Sequence, residues 1–123
     1  MRRAILFTLL LTALPALAAV PVLAGFYLVA PARADAPEPI PVTLQNHKFT
    51  PSEIPVKANT PAVIALTNKD ATAEEFDSTA LKVEKVVAGN SRGNIRIRAL
   101  APGRYPFMGE YHPGTAQGVV VAK

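Results

Sequence analysis

From Val42 onward the chain alternates apolar and polar residues in short runs separated by turn-forming residues. Val42 and Leu44 alternate with Thr43 and Gln45, and Ile54 and Val56 with Pro55 and Lys57. A period of two puts every second side chain on one face, as in a strand packed on one side. Ala62 to Thr67 is a nearly continuous apolar strand after the turn Asn59-Thr60-Pro61, and Leu81, Val83 and Val86 mark a fourth strand. The stretch Ala88-Gly89-Asn90-Ser91-Arg92-Gly93 is turn chemistry, after which Ile95 and Ile97 alternate with Arg96 and Arg98. Ala101-Pro102-Gly103 turns the chain into a strand from Arg104 to Met108, and Gly118 to Val121 forms the last. About seven short strands without a helical period predict an all-β fold, a Greek-key β-sandwich.

Ahead of this region the pattern changes. Met1-Arg2-Arg3 is a basic head, Ala4 to Ala30 is an apolar run interrupted by Pro15 and Pro21, and Ala32-Arg33-Ala34 is a small-x-small site suited to cleavage before Asp35. Residues 1–34 therefore read as an export signal peptide or, left uncut, as a membrane anchor, because the run could cross a bilayer core of roughly 30 Å. In both cases the remainder is expected in the periplasm, with membrane contact only through an uncleaved N-terminal segment. Residues 35–41, which include Pro37, Pro39 and Pro41, read as an extended leader. The domain is expected over residues 42–123.

Charge changes the picture once this segment is set aside. The whole chain carries +4, but from Asp35 onward six Lys and four Arg face six Glu and three Asp, a net charge of +1. A nucleic-acid partner loses its electrostatic support. The chain has no cysteine, so an exported domain of this size must rest on its core or on a bound metal rather than on disulfides. It shows no Ser-His-Asp arrangement, paired-histidine metal motif or Gly-rich phosphate loop, and nothing points to a conventional hydrolase.

The end of the chain is the most distinctive part. Tyr105, Phe107 and His112 fit a pattern close to Tyr-x-Phe-x-Cys-x-x-His, with Gly109 where the cysteine would stand and Gln117 near the place of a following methionine. Further matching pieces are Phe49-Thr50-Pro51 leading into Ile54-Pro55-Val56-Lys57-Ala58, then Leu66-Thr67-Asn68-Lys69-Asp70, Glu75-Phe76-Asp77-Ser78, and Pro102-Gly103-Arg104 ahead of the closing loop. Together these resemble the cupredoxin-like domains of bacterial iron-uptake systems, a type that occurs alone or beside an iron permease. The resemblance implies a cupredoxin-like sandwich that binds iron, with ferroxidase-like oxidation as an extension of that role and a membrane iron permease as partner. A copper-binding or copper-delivery protein and a metal-free interaction module are the alternatives.

A blue-copper centre depends on a copper–thiolate bond, which a cysteine-free chain does not supply. In cupredoxins the first ligand histidine follows the strand that ends in Asn. Here the segment from Asn68 to Asp77 offers Glu74, Glu75 and Asp77 and no histidine. Carboxylates with one imidazole suit iron or Cu(II) better than Cu(I). The expected metal ligands are Glu75, Glu110 and His112 on two loops that meet at one pole of the sandwich, with Asp77, Met108 and His47 as further contacts. Each has a plainer reading: the acids as a solvated turn, Met108 as core, His47 as part of the turn Asn46-His47-Lys48.

Overall fold

The computed structural model describes residues 29–32 and 35–123, and the expected signal peptide or anchor lies almost wholly outside them. Nine strands form two sheets, and no helix occurs among the described residues. One sheet has the order β2-β1-β4-β7, made of β1 (Ile40–Gln45), β2 (Lys48–Thr50), β4 (Ala62–Asn68) and β7 (Ser91–Ile97). The other has the order β3-β9-β8-β5-β6, made of β3 (Glu53–Val56), β9 (Gln117–Ala122), β8 (Gly103–Gly109), β5 (Glu74–Ser78) and β6 (Val83–Val87). The pairs β1·β4 and β3·β9 are parallel and the rest antiparallel.

The sandwich expected from the alternation is present. Val42 and Leu44, Ile54 and Val56, Ile64 and Leu66, and Ile95 and Ile97 are all buried at alternate positions of their strands. Phe49, Phe76 and Phe107 pack between the sheets, with ring centroids 4.5 to 6.0 Å apart. Each such ring contributes about 1.5–3 kcal/mol by leaving water. Phe107 fits because its neighbour across the strand pair is Gly118, where a Cβ would fall 2.2 Å from the ring.

Two strands lie where the sequence showed none, and both bear on the site. Lys48–Thr50 pairs with β1 through the tight turn at Asn46 and His47, both with left-handed backbone (φ 52° and 55°), the geometry that a two-residue hairpin turn requires. Glu74–Ser78, read from the sequence as part of a loop, is the strand β5, and its acidic residues obey the alternation of a strand. β1 begins at Ile40, two residues inside the expected leader, and β7 begins at Ser91 within the stretch read as a turn.

Candidate metal site

Burial along β5 runs Glu74 in, Glu75 out, Phe76 in, Asp77 out, Ser78 in. Glu74 is therefore carried into the sandwich on the same face as Phe76, and its side chain is 1% exposed. It is fully partnered there. Oε1 accepts hydrogen bonds from the backbone N–H of Tyr111 (2.9 Å) and of Glu75 (3.1 Å), and Oε2 lies 2.6 Å from Nδ1 of His112. A carboxylate only accepts, so to an ionised Glu74 His112 donates from Nδ1, and in the neutral ring Nε2 then keeps its lone pair.

His112 sits in the β8–β9 loop, which hydrogen bonds hold in shape. Its N–H donates to Gly109 O (3.0 Å), its carbonyl accepts from Ala116 (2.9 Å) and Thr115 (3.1 Å), and Glu110 N–H donates to Glu75 O (2.9 Å). Gln117 donates from Nε2 to Pro113 O at 2.9 Å and pins the same loop. Gly109 opens the loop and is buried.

The second imidazole comes from the β1–β2 turn. The ring of His47 stacks on that of His112 with centroids 3.5 Å apart and planes 13° from parallel. Asp70 holds this turn: its Oδ1 accepts from Asn46 N–H (2.7 Å), its Oδ2 from His47 N–H (2.9 Å), and Oδ2 lies 3.4 Å from His47 Nδ1. The hydrogen bond from the His47 backbone, with smaller contributions from Asn46 and the two histidines, keeps the Asp70 carboxyl below the usual carboxylate range against the opposing effect of burial. His47, Glu74 and His112 thus each offer a ligand atom within 4.8 Å of the other two, the one such group among the described residues.

Of the six residues expected from the sequence, the structure brings His47 and His112 together. Glu75 and Asp77 face outward from β5, and Met108 faces outward from β8 opposite Asp77, 40% exposed. Glu110 belongs with these outward acids: the charge of Glu75, with smaller effects of desolvation and of the charges of Asp77 and Glu84, pushes its carboxyl above the usual range. The expectation of Glu75 and Glu110 beside His112 took β5 for a loop. The strand's period of two instead selects Glu74, its buried neighbour, and sends Glu75 to the opposite face.

The residues fit some metals and not others. A thiolate-bound copper is excluded by the absence of cysteine, and the space itself is taken: a Cβ at Gly109 would lie 2.6 Å from Cδ of Glu74 and 2.7 Å from Cβ of Ala116. Two imidazoles and a carboxylate form instead a nitrogen and oxygen donor set, which suits Cu(II), Fe(II) or Zn(II).

Residues 16–122 match the family described as a cupredoxin-like domain. Over 82 residues the chain is 37% identical to an uncharacterized protein of Rickettsia prowazekii (strain Madrid E), a match covering 67% of this chain and 66% of that protein, just under two thirds of its length. Among solved structures it is similar to auracyanin A, a "blue" copper protein of Chloroflexus aurantiacus (TM-score 0.59, 17% identity, 72% of this chain and 100% of that one). It is also similar to a reduced mutant of amicyanin (TM-score 0.58, 18% identity, 72% and 86%) and to a copper-containing nitrite reductase of Thermus scotoductus SA-01 (TM-score 0.55, 18% identity, 78% and 25%). At these identities the likeness is one of fold.

Proposed function

The chain belongs to the cupredoxin-like domain family, and from that premise we propose that it is a metal-binding domain whose site takes Cu(II) through the imidazoles of His47 and His112, with Glu74 orienting His112, and does not form a blue-copper centre. The observation that carries this reading is the convergence of two imidazoles and one buried carboxylate within 4.8 Å, contributed by the β1–β2 turn, strand β5 and the β8–β9 loop. Each imidazole has a carboxylate at Nδ1, Asp70 for His47 and Glu74 for His112. The hydrogen bond of His112 Nδ1 to Glu74 fixes that ring's tautomer and raises the basicity of its free nitrogen, as such partners do for histidines that bind metals. Among divalent first-row ions a nitrogen and oxygen site holds Cu(II) most tightly. The copper-binding auracyanin fold is consistent with this choice. The bound ion would act as a centre for binding and handing on metal, without the charge-transfer character that a thiolate gives.

A second reading is favoured by the carboxylate and by the outward acids Glu75, Asp77, Glu84 and Glu110. It makes iron the cargo, delivered in the periplasm to a membrane permease. One experiment separates the two. The full chain is titrated with Cu(II) and, without oxygen, with Fe(II), each followed by calorimetry and the copper titration also by electron paramagnetic resonance. Copper binding with hyperfine structure from two imidazole nitrogens supports the copper reading. Tighter retention of iron at the same residues supports the second, and binding of neither ion refutes both.

A further inference from the structure

We infer that Asp70 is a positioning residue for the site: it anchors the turn that carries His47 beside His112 and thereby sets how tightly a metal is bound. This rests on the assignment of His47 as a ligand. His47 occupies a left-handed backbone conformation (φ 55°) in a two-residue turn, and so does Asn46 before it (φ 52°). That conformation comes readily to Asn46 but costs His47 more unless the turn is tied down. Within the hairpin itself, β2 has only three residues to do so. The anchor comes from another part of the chain. Asp70, beyond β4, accepts both N–H groups of the turn and lies against the imidazole, more than twenty residues away in sequence.

Asp70 is in turn fixed. Its N–H donates to Oδ1 of Asn68 (3.0 Å), and its carbonyl accepts from Asn90 N–H (2.8 Å). Asn68 is wholly buried, and its Nδ2 donates to the carbonyls of Thr72, Val87 and Ala88. Lys69 N–H donates to Leu44 O at 2.8 Å, which ties the same segment back to β1. The carboxylate that grips the His47 turn is therefore part of a rigid frame reaching from β1 through the end of β4 to the β6–β7 turn. Oδ2 also lies 3.4 Å from Nδ1 of the ring, so the carboxylate faces the imidazole as well as the backbone of the turn. In this frame His112 takes its orientation from Glu74 and His47 takes its own from Asp70.

The test uses the full chain with Asp70→Asn, which keeps the size of the side chain and one acceptor oxygen, beside His47→Ala and the double variant. In the absence of metal, the ring protons of His47 and His112 should show the ring-current shifts of stacked imidazoles, and Asp70→Asn should reduce them. Cu(II) should bind roughly 10- to 100-fold more weakly to Asp70→Asn, the usual effect of losing such a partner. In the His47→Ala background the same substitution should change affinity no further, because its route of action has been removed. Thermal melts of each variant control for general damage to the fold. Unchanged ring shifts in Asp70→Asn overturn the proposal, as does an equal loss of affinity with and without His47. If the parent binds no Cu(II), the metal assignment falls, and the metal-free ring shifts alone decide whether Asp70 places the ring.

Discussion

The carboxylate carbon of Glu74 lies 2.6 Å from the point where a Cβ on Gly109 would stand. The two positions are sterically coupled: the buried acid has room because residue 109 has no side chain. Gly109→Ala should therefore destabilise the domain by about 1–3 kcal/mol, the usual range for overpacking a filled interior. In a Glu74→Ala background the added cost of Gly109→Ala should be smaller, since one of its two obstacles is gone while Ala116 remains. Denaturant melts of the four proteins give the comparison, and strictly additive effects would show that the two side chains do not compete for the space.

Substitutions should divide by the face of β5 they occupy. His47→Ala, Glu74→Gln and His112→Ala should each weaken Cu(II) binding at least roughly tenfold, about 1.4 kcal/mol. Glu75→Gln and Asp77→Asn, on the outward face, should change it much less. Calorimetry on the five variants reads this directly. Equal losses from Glu75 and Glu74 would place the metal elsewhere.

Loading with Cu(II) should give a pale protein without the intense visible band of copper–thiolate bonding, because the chain has no cysteine. Zn(II), which has no colour and suits the same donors, should be detected through the imidazoles. The rings lie 13° from parallel, so in-plane lone pairs do not meet at one point, and a shared ion requires the rings to turn out of the stack. Their mutual ring-current shifts should then fall when Zn(II) is added. Retained shifts at saturation would mean that no more than one histidine binds.

On the outward face, Asp77 and Glu84 stand directly opposite each other in β5 and β6, and Glu75 raises the proton affinity of Glu110. A carboxyl whose folded value lies above its unfolded one binds its proton more tightly in the folded state. Its repulsion is thus absent at low pH and develops as pH rises from the unfolded value through the folded one. Glu75→Gln should bring the Glu110 midpoint down toward the ordinary glutamate value and make the domain slightly more stable at neutral pH, less so in high salt. Carboxyl chemical shifts followed through an acid titration give the midpoint. A Glu110 midpoint that does not move would remove Glu75 as its cause.

The sandwich was legible because burial between two sheets writes itself into sequence as alternation. Val42 and Leu44, Ile54 and Val56, and Ile95 and Ile97 were assigned to inward faces on that ground and are inward. β2 was not legible, since three residues are too short a run to show a period. β5 was hidden for another reason: with Glu74, Glu75 and Asp77 among its five residues it has the composition of a solvated turn. A buried acid breaks the pattern by which strands are recognised, although Phe76 and Ser78, two and four residues from Glu74, are the remaining trace of it.

The sequence by itself determined the all-β character, the absence of a thiolate and the presence of His112 on the closing loop. Those follow from local periodicity, from composition and from a short motif, all of which are properties of contiguous residues. Tertiary structure decided the partners of His112. Which of two adjacent glutamates enters the sandwich depends on the register of β5 between β6 and β8. That His47 reaches the site depends on a carboxylate more than twenty residues away closing on its turn. Contacts of this kind are made between elements and carry no spacing rule along the chain, so folding alone brings His47, Glu74 and His112 to one place.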